Sequence, residues 1–243
     1  MTQCVLMVLA ALIIGYSKTS LGGLAVISVA IFATVLPTKQ STAAILVLLI
    51  VGDVVALSMY RRDAEWSLIK RLLPAVIPGL ILGTIFLNVV DNTTLKRSIG
   101  IILLALLILQ LWLQLRARSA PHARSHDHPI AAIGAGTAAG FATMTANAAG
   151  AVTTLYLSAA GVDKRRFLGT QAWFFFVVNL SKVPFSIGLG LLHRSDVTRA
   201  LWLTPAIIAG GLLGRWSARR MSQRQFDVFV LLASAVSAVA LLL

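Results

Sequence analysis

The chain has 243 residues, of which 58% are hydrophobic and 12% charged, whereas soluble domains are roughly half apolar and about a quarter charged. That balance excludes an ordinary soluble enzyme and places the chain in a membrane. Twenty-one Lys and Arg against eight Asp and Glu give a net charge of +13, but the charges fall in short loops between apolar runs, where they orient a membrane protein and meet anionic lipid rather than nucleic acid.

In chain order, the first apolar run, residues 1–36, lacks the basic start of a cleavable signal peptide and reads as retained. It contains Cys4, a single cysteine that excludes an intramolecular disulfide. A polar, glycine-rich break, GYSKTSLGG (Gly15–Gly23), interrupts it. One straight helix over this length would reach ~54 Å, too long for a ~30 Å hydrocarbon core. The element is therefore a bent crossing, or two half-helices that meet at the break and return to the side they left.

Spans follow at Ser41–Tyr60, Leu68–Val90 and Leu95–Leu115. A polar linker, 116–129, carries His122, His126, Asp127 and His128. Imidazole and carboxylate are competent metal ligands, but this Pro-bearing stretch has no matching cluster elsewhere, and no metal is expected. Residues 130–161 repeat the oddity of the first run, with the break GFATMTANAAG (Gly140–Gly150) and a straight length of ~48 Å. Spans at Leu168–Leu192, Ala200–Leu213 and Phe226–Leu243 complete the chain. Trp66, Trp112, Trp202 and Trp216 lie near span ends, as interfacial anchors do.

The two breaks are landmarks of an internal repeat. Ser41, Ala43 and Asp53 fall against Thr170, Ala172 and Lys182 at an offset of 129, and Pro74, Gly79 and Gly83 meet Pro205, Gly210 and Gly214 at 131. The chain thus divides into 1–115, the linker 116–129, and 130–243. The expected fold is an all-α polytopic membrane protein of two related repeats, each a broken or re-entrant helical element followed by three transmembrane helices. Basic residues choose between crossing and re-entry, since cytoplasmic loops are enriched in Lys and Arg. If both broken elements cross, the loops split ten against nine; if both are re-entrant, fourteen basic residues share one side and five the other. The second arrangement makes the repeats inverted, with both termini outside.

Lys18, Asp53 and Lys182 lie inside apolar runs. A charge at membrane depth costs about 2.5–3.5 kcal/mol on insertion scales, so such residues face a cavity or a partner. Lys182 is ~21 and ~15 Å from its span ends, too deep to snorkel easily. Gln171, Asn179, Lys182 and Ser186 share one helix face that should line the interior. Repeat equivalence suggests that Asp53 pairs with Lys182, either as a structural pair or as one that a substrate anion or a proton breaks and remakes; Asp53 is the candidate for proton or ion coupling. Lys18 either meets headgroups in a surface loop or joins two half-helix N-termini, whose free N–H groups favour anions, in a site for a small anion. Hydroxyls of Ser17, Thr19, Ser20, Thr143 and Thr145, with Asn147, supply hydrogen bonds to it.

Taken together, GYSKTSLGG, LPTKQSTAAILVLLIVGDVVALSMYRRD and GFATMTANAAGAVTTLYLSAAGVDKRRFLGTQAWFFFVVNLSKVPFSIGLGL resemble the sulfite exporter TauE/SafE family, from about Leu9 to the C-terminus. The resemblance implies a multi-pass protein of the cell's inner membrane that moves small anions, often sulfite, sulfonates or other sulfur-containing organic anions, commonly outward. Residues matching the family pattern are Lys18, Gly22, Gly23, Asp53, Asn147, Gly150, Gly169, Thr170, Trp173, Asn179, Lys182 and Pro184; of these Gly22, Gly23, Gly150, Thr170 and Trp173 join the binding candidates on that ground alone. Ala151 stands where family members often carry Pro.

No nucleophile-plus-base pair, P-loop or metal-ligand set is present, so neither enzymatic activity nor a cofactor is expected. The expected function is a secondary transporter, an exporter of a small anion driven by an ion gradient. A passive anion channel and a non-transporting subunit of a membrane complex are the alternatives. Expected partners are the anion and membrane lipid; a homo-oligomer is compatible with the sequence.

Overall fold

The computed structural model describes residues 2–20, 24–95, 97, 98, 101, 108, 129–222, 225 and 228. Gly22, Gly23, Trp112, the linker histidines and most of the spans expected at Leu95–Leu115 and Phe226–Leu243 lie outside the described residues. Eight helices have defined bounds: α1 Thr2–Thr19, α2 Ala25–Val35, α3 Thr38–Tyr60, α4 Trp66–Val89, α5 Pro129–Ala146, α6 Ala149–Ala159, α7 Lys164–Gly188 and α8 Arg194–Arg220. No strand occurs among the described residues. The described residues make an all-helical fold, as expected.

Helix ends follow local chemistry. Leu36 is extended before Pro37 and stops α2, because a proline disfavours helical backbone in the residue before it. Asp163 caps α7, its carboxylate accepting from the amides of Arg165 and Arg166 at 3.0 and 3.2 Å. Asp196 closes a capping box on His193 at the start of α8 and pairs with Arg199 at 2.7 Å.

The expected breaks are real interruptions. After α1 the chain folds back: the Ala25 amide donates to Ser17 Oγ at 2.9 Å and Ser28 Oγ donates to the Ala10 carbonyl at 2.9 Å. Contacts at 17 with 25 and at 10 with 28 make α1 and α2 an antiparallel hairpin, not a bent rod. In the second break α5 ends at Asn147, whose φ of 51° is left-handed. The Ala148 amide reaches back to the Ala142 carbonyl and the Asn147 amide to Thr143, a Schellman-type stop for which Asn is among the few tolerated side chains. Only Asn147 and Ala148 separate α5 from α6.

Two apolar clusters make the core. One gathers Ile14, Phe32, Ile45, Leu48 and Ile207 from α1, α2, α3 and α8; the other gathers Leu72, Leu80, Ala139, Met144, Phe174 and Val178 from α4, α5 and α7. Helix α3 packs on α7 where the clusters meet. The tightest seams run along α1 with α8 and α4 with α5, where glycines let backbones touch. Gly210 lies on the Leu12 carbonyl and Gly15 on that of Ile207; Gly79 lies on the Thr137 carbonyl and Gly140 on that of Val76.

Lys39–Tyr60, Trp66–Val89 and Arg194–Arg220 are each long and apolar enough to cross a membrane. The 25-residue α7 is not among these three, since Gln171, Asn179 and Lys182 interrupt its apolar face. At one end of the bundle Arg166 pairs with Glu65 at 3.1 Å, Trp173 Nε1 donates to the Arg61 carbonyl, and Lys164 Nζ donates to the Met221 carbonyl. The basic loops after α3, α6 and α8 therefore share that end. Lys39 meets Asn92 elsewhere, the Lys39 amide donating to Asn92 Oδ1 at 2.9 Å.

Candidate functional site

The four-residue stripe expected on α7 is buried along its whole length: Gln171, Asn179, Lys182 and Ser186 are each no more than 4% exposed. Around it, α1, α3 and the α5–α6 break supply a polar cluster in which every member has a partner.

One half of the cluster is an ion pair, though not the expected one. Asp53, fully buried in α3, binds Lys18 through Oδ1 at 2.6 Å, not Lys182. Its Oδ2 accepts from Asn179 Nδ2 at 2.7 Å. Lys18 is not a surface residue; its side chain is 8% exposed and its ammonium lies 4.4 Å from the centroid of the Phe175 ring, where the π face attracts a cation. Gly52 makes room for the lysine stem, since a Cβ there would stand 3.1 Å from Lys18 Cγ.

The other half centres on Lys182. Its Nζ donates to Thr143 Oγ1 at 3.3 Å and to Asn147 Oδ1, both neutral acceptors. Asn147 Nδ2 donates in turn to the Thr42 carbonyl at 3.2 Å, tying the α5–α6 break to the start of α3. Among the described residues the cluster sets two lysines against one aspartate, and Lys182 is the one without a carboxylate partner.

The remaining candidates divide by position. Ser17 accepts the first amide of α2, as above. Thr19 Oγ1 donates to the Gly211 carbonyl at 2.8 Å, Ser20 Oγ to that of Tyr16 at 2.6 Å, and Thr145 Oγ1 to that of Phe141 at 2.8 Å. These three hydroxyls brace helices and do not point their hydrogens at a common space. Gly150 is buried in the first turn of α6. Thr170 and Trp173 sit with the loop after α3: Thr170 Oγ1 accepts from the Glu65 amide at 2.9 Å, and Trp173 packs on Trp66 with centroids 5.3 Å apart. Neither is brought to Lys182.

Three contributors went unread in the sequence: Phe175 beneath Lys18, the Thr42 carbonyl, and Tyr60, whose hydroxyl donates to the Thr19 carbonyl at 3.0 Å. A signal for the ion pair was present. If Gly15 is set against Gly140, Lys18 falls on Thr143, and the contacts Lys18–Asp53 and Thr143–Lys182 then occupy matching positions.

The family model described as "Sulfite exporter TauE/SafE" matches residues 7–241. No curated protein and no solved structure matches the chain.

Proposed function

Because the chain belongs to the sulfite exporter TauE/SafE family, a family of membrane transporters and not of enzymes, we propose that it is a secondary transporter exporting a small sulfur oxyanion across the inner membrane as a multi-pass protein. Sulfite, a sulfonate or another sulfur-containing organic anion is the substrate class, and an ion gradient supplies the work. The observation that carries this reading is Lys182: a buried ammonium whose acceptors, Thr143 and Asn147, are both uncharged.

In this reading the anion docks on Lys182, with Thr143 and Asn147 beside it and Asn179 joining the site to Asp53. Asp53 is the coupling group. A proton on Asp53 would weaken its hold on Lys18, so the charge of the cluster and the proton are linked through one carboxylate. Ser17, Thr19, Gly22, Gly23, Thr145 and Gly150 shape the two breaks, while Thr170 and Trp173 act from the basic loop end.

Residues 1–115 and 130–243 form two inverted repeats joined by 116–129. Support comes from the packing: α1 lies on α8 and α4 on α5, so each half sets its first helix against the last described helix of the other. Each broken element is then a re-entrant hairpin, and rocking of the halves exposes the site alternately.

Flux of labelled sulfite in proteoliposomes under an imposed pH gradient tests the proposal. Uphill flux that follows the gradient, lost in Lys182→Gln and uncoupled from pH in Asp53→Asn, is expected. Flux that never runs uphill would make the protein a passive facilitator, and flux unchanged in Lys182→Gln would remove that lysine from the mechanism.

A further inference from the structure

The two lysines of the cluster are treated differently. Lys18 has a carboxylate, Asp53, at 2.6 Å, whereas Lys182, more deeply buried, has a carboxamide oxygen and a hydroxyl. The carboxamide is not a passive neighbour. Its oxygen takes Lys182 while its nitrogen holds the Thr42 carbonyl at 3.2 Å, and its backbone, at φ 51°, is the residue on which α5 turns into α6. One side chain therefore joins the uncompensated cation of α7, the start of α3 and the tip of the second hairpin.

We infer that Asn147 is an internal stand-in for the transported anion: its Oδ1 occupies the docking position on Lys182 in the empty protein, and the arriving oxyanion displaces it. The inference rests on the reading of Lys182 as the anion's anchor and assigns Asn147 a role opposite to that of a ligand. A neutral oxygen satisfies the ammonium's hydrogen bond without cancelling its charge, so an anion of one negative charge outcompetes it. The preferred class is thus a monoanion presenting several oxygens on one centre, as a sulfonate or hydrogen sulfite does.

Displacement has a structural consequence. Once Oδ1 leaves Lys182, the Asn147 side chain gives up one of its two hydrogen bonds and keeps the one to the Thr42 carbonyl at the start of α3. Release of the hairpin is tied to loading, so the empty site stays latched.

The test uses the purified full-length protein, its thermal unfolding titrated with sodium methanesulfonate and with sodium sulfite at ionic strength matched by a sodium salt of an inert anion. Asn147→Gly keeps the left-handed backbone accessible and removes the competitor. It should bind methanesulfonate on the order of tenfold more tightly than the parent, an effect in the direction that loss of a ligand or of packing cannot produce. Asn147→Asp supplies a permanent anion and should abolish saturable stabilisation by both probes while unfolding no earlier than the parent. Unchanged or weaker binding in Asn147→Gly, with binding lost in Lys182→Gln, would overturn the stand-in and leave Asn147 an ordinary ligand. Parental binding in Lys182→Gln would instead overturn the anchor itself, and a parent stabilised by neither probe would overturn both.

Discussion

At the scale of single residues, burial fixes what each charge can do. Lys18 and Asp53 sit together with almost no solvent contact, so removing one strands the other. Breaking such a pair costs about 3–5 kcal/mol, whereas replacing both partners with apolar side chains is often close to neutral. Asp53→Leu alone should therefore lower the unfolding temperature sharply in detergent, and Lys18→Met with Asp53→Leu should recover most of the loss. Equal unfolding temperatures for single and double variants would show that the pair is not coupled.

The matching position in the other half gives the complementary experiment. Thr143→Asp would hand Lys182 the carboxylate that Lys18 already has, stabilising the fold while ending sulfite flux in proteoliposomes. Retained flux would separate transport from the Lys182 charge. Much of this was legible, because Lys18, Asp53 and Lys182 stand out as charges in apolar sequence. The partners were not. Repeat equivalence ranks positions along two helices, and Asp53 and Lys182 share a rank, but the contacts run from each of them to the neighbouring break, Lys18 in one half and Thr143 in the other.

At the scale of elements, glycine decides which helices can approach. Gly15, Gly79, Gly140 and Gly210 each lie against a backbone carbonyl of a neighbouring helix, leaving no space for a side chain, while Gly134 and Gly188 face open space. Gly140→Val should part α4 from α5 and Gly210→Val should part α1 from α8. Overpacking costs typically 1–3 kcal/mol, and here the obstacle is backbone, so both variants should leave little protein in the monodisperse peak of a size-exclusion profile. Gly134→Ala should do no harm, since alanine favours the helix by about 0.5–1 kcal/mol. Identical profiles for Gly134→Ala and Gly140→Val would remove the seam from the account.

The glycine spacing of α4 and α8 was readable from the offset of 131; which helix each seam faces was not, since a motif of small residues states that something comes close without stating what. The hairpins show the same limit. Length and glycine content located both breaks, but the fold-back of α2 on α1 rests on Ser28 reaching the Ala10 carbonyl, a bond between side chain and backbone that has no sequence period.

For the whole molecule, charge distribution and helix direction constrain each other. The loops after α3, α6 and α8 meet through Glu65 with Arg166 and Lys164 with Met221, which collects Arg61, Arg62, Lys164, Arg165, Arg166, Arg219 and Arg220 at one end. Had α5 and α6 together made one crossing, with α7 and α8 following, the loop after α6 would have lain across the membrane from the loop after α3. The Arg166–Glu65 contact instead puts these two loops at one end. Positive charge in short loops is retained on the cytoplasmic side, so this end should be cytoplasmic and the end carrying Asn92 should face outward. Cysteine labelling reads the orientation directly. In a Cys4→Ser background, Asn92→Cys should react with a membrane-impermeant maleimide in intact cells, while Asp163→Cys, exposed in the loop beside Arg166, should react only after permeabilisation. The opposite pattern would reverse the protein in the membrane. Reaction at both positions in intact cells would place the two ends on one side, which no helical bundle with Trp66–Val89 as a crossing helix between them permits.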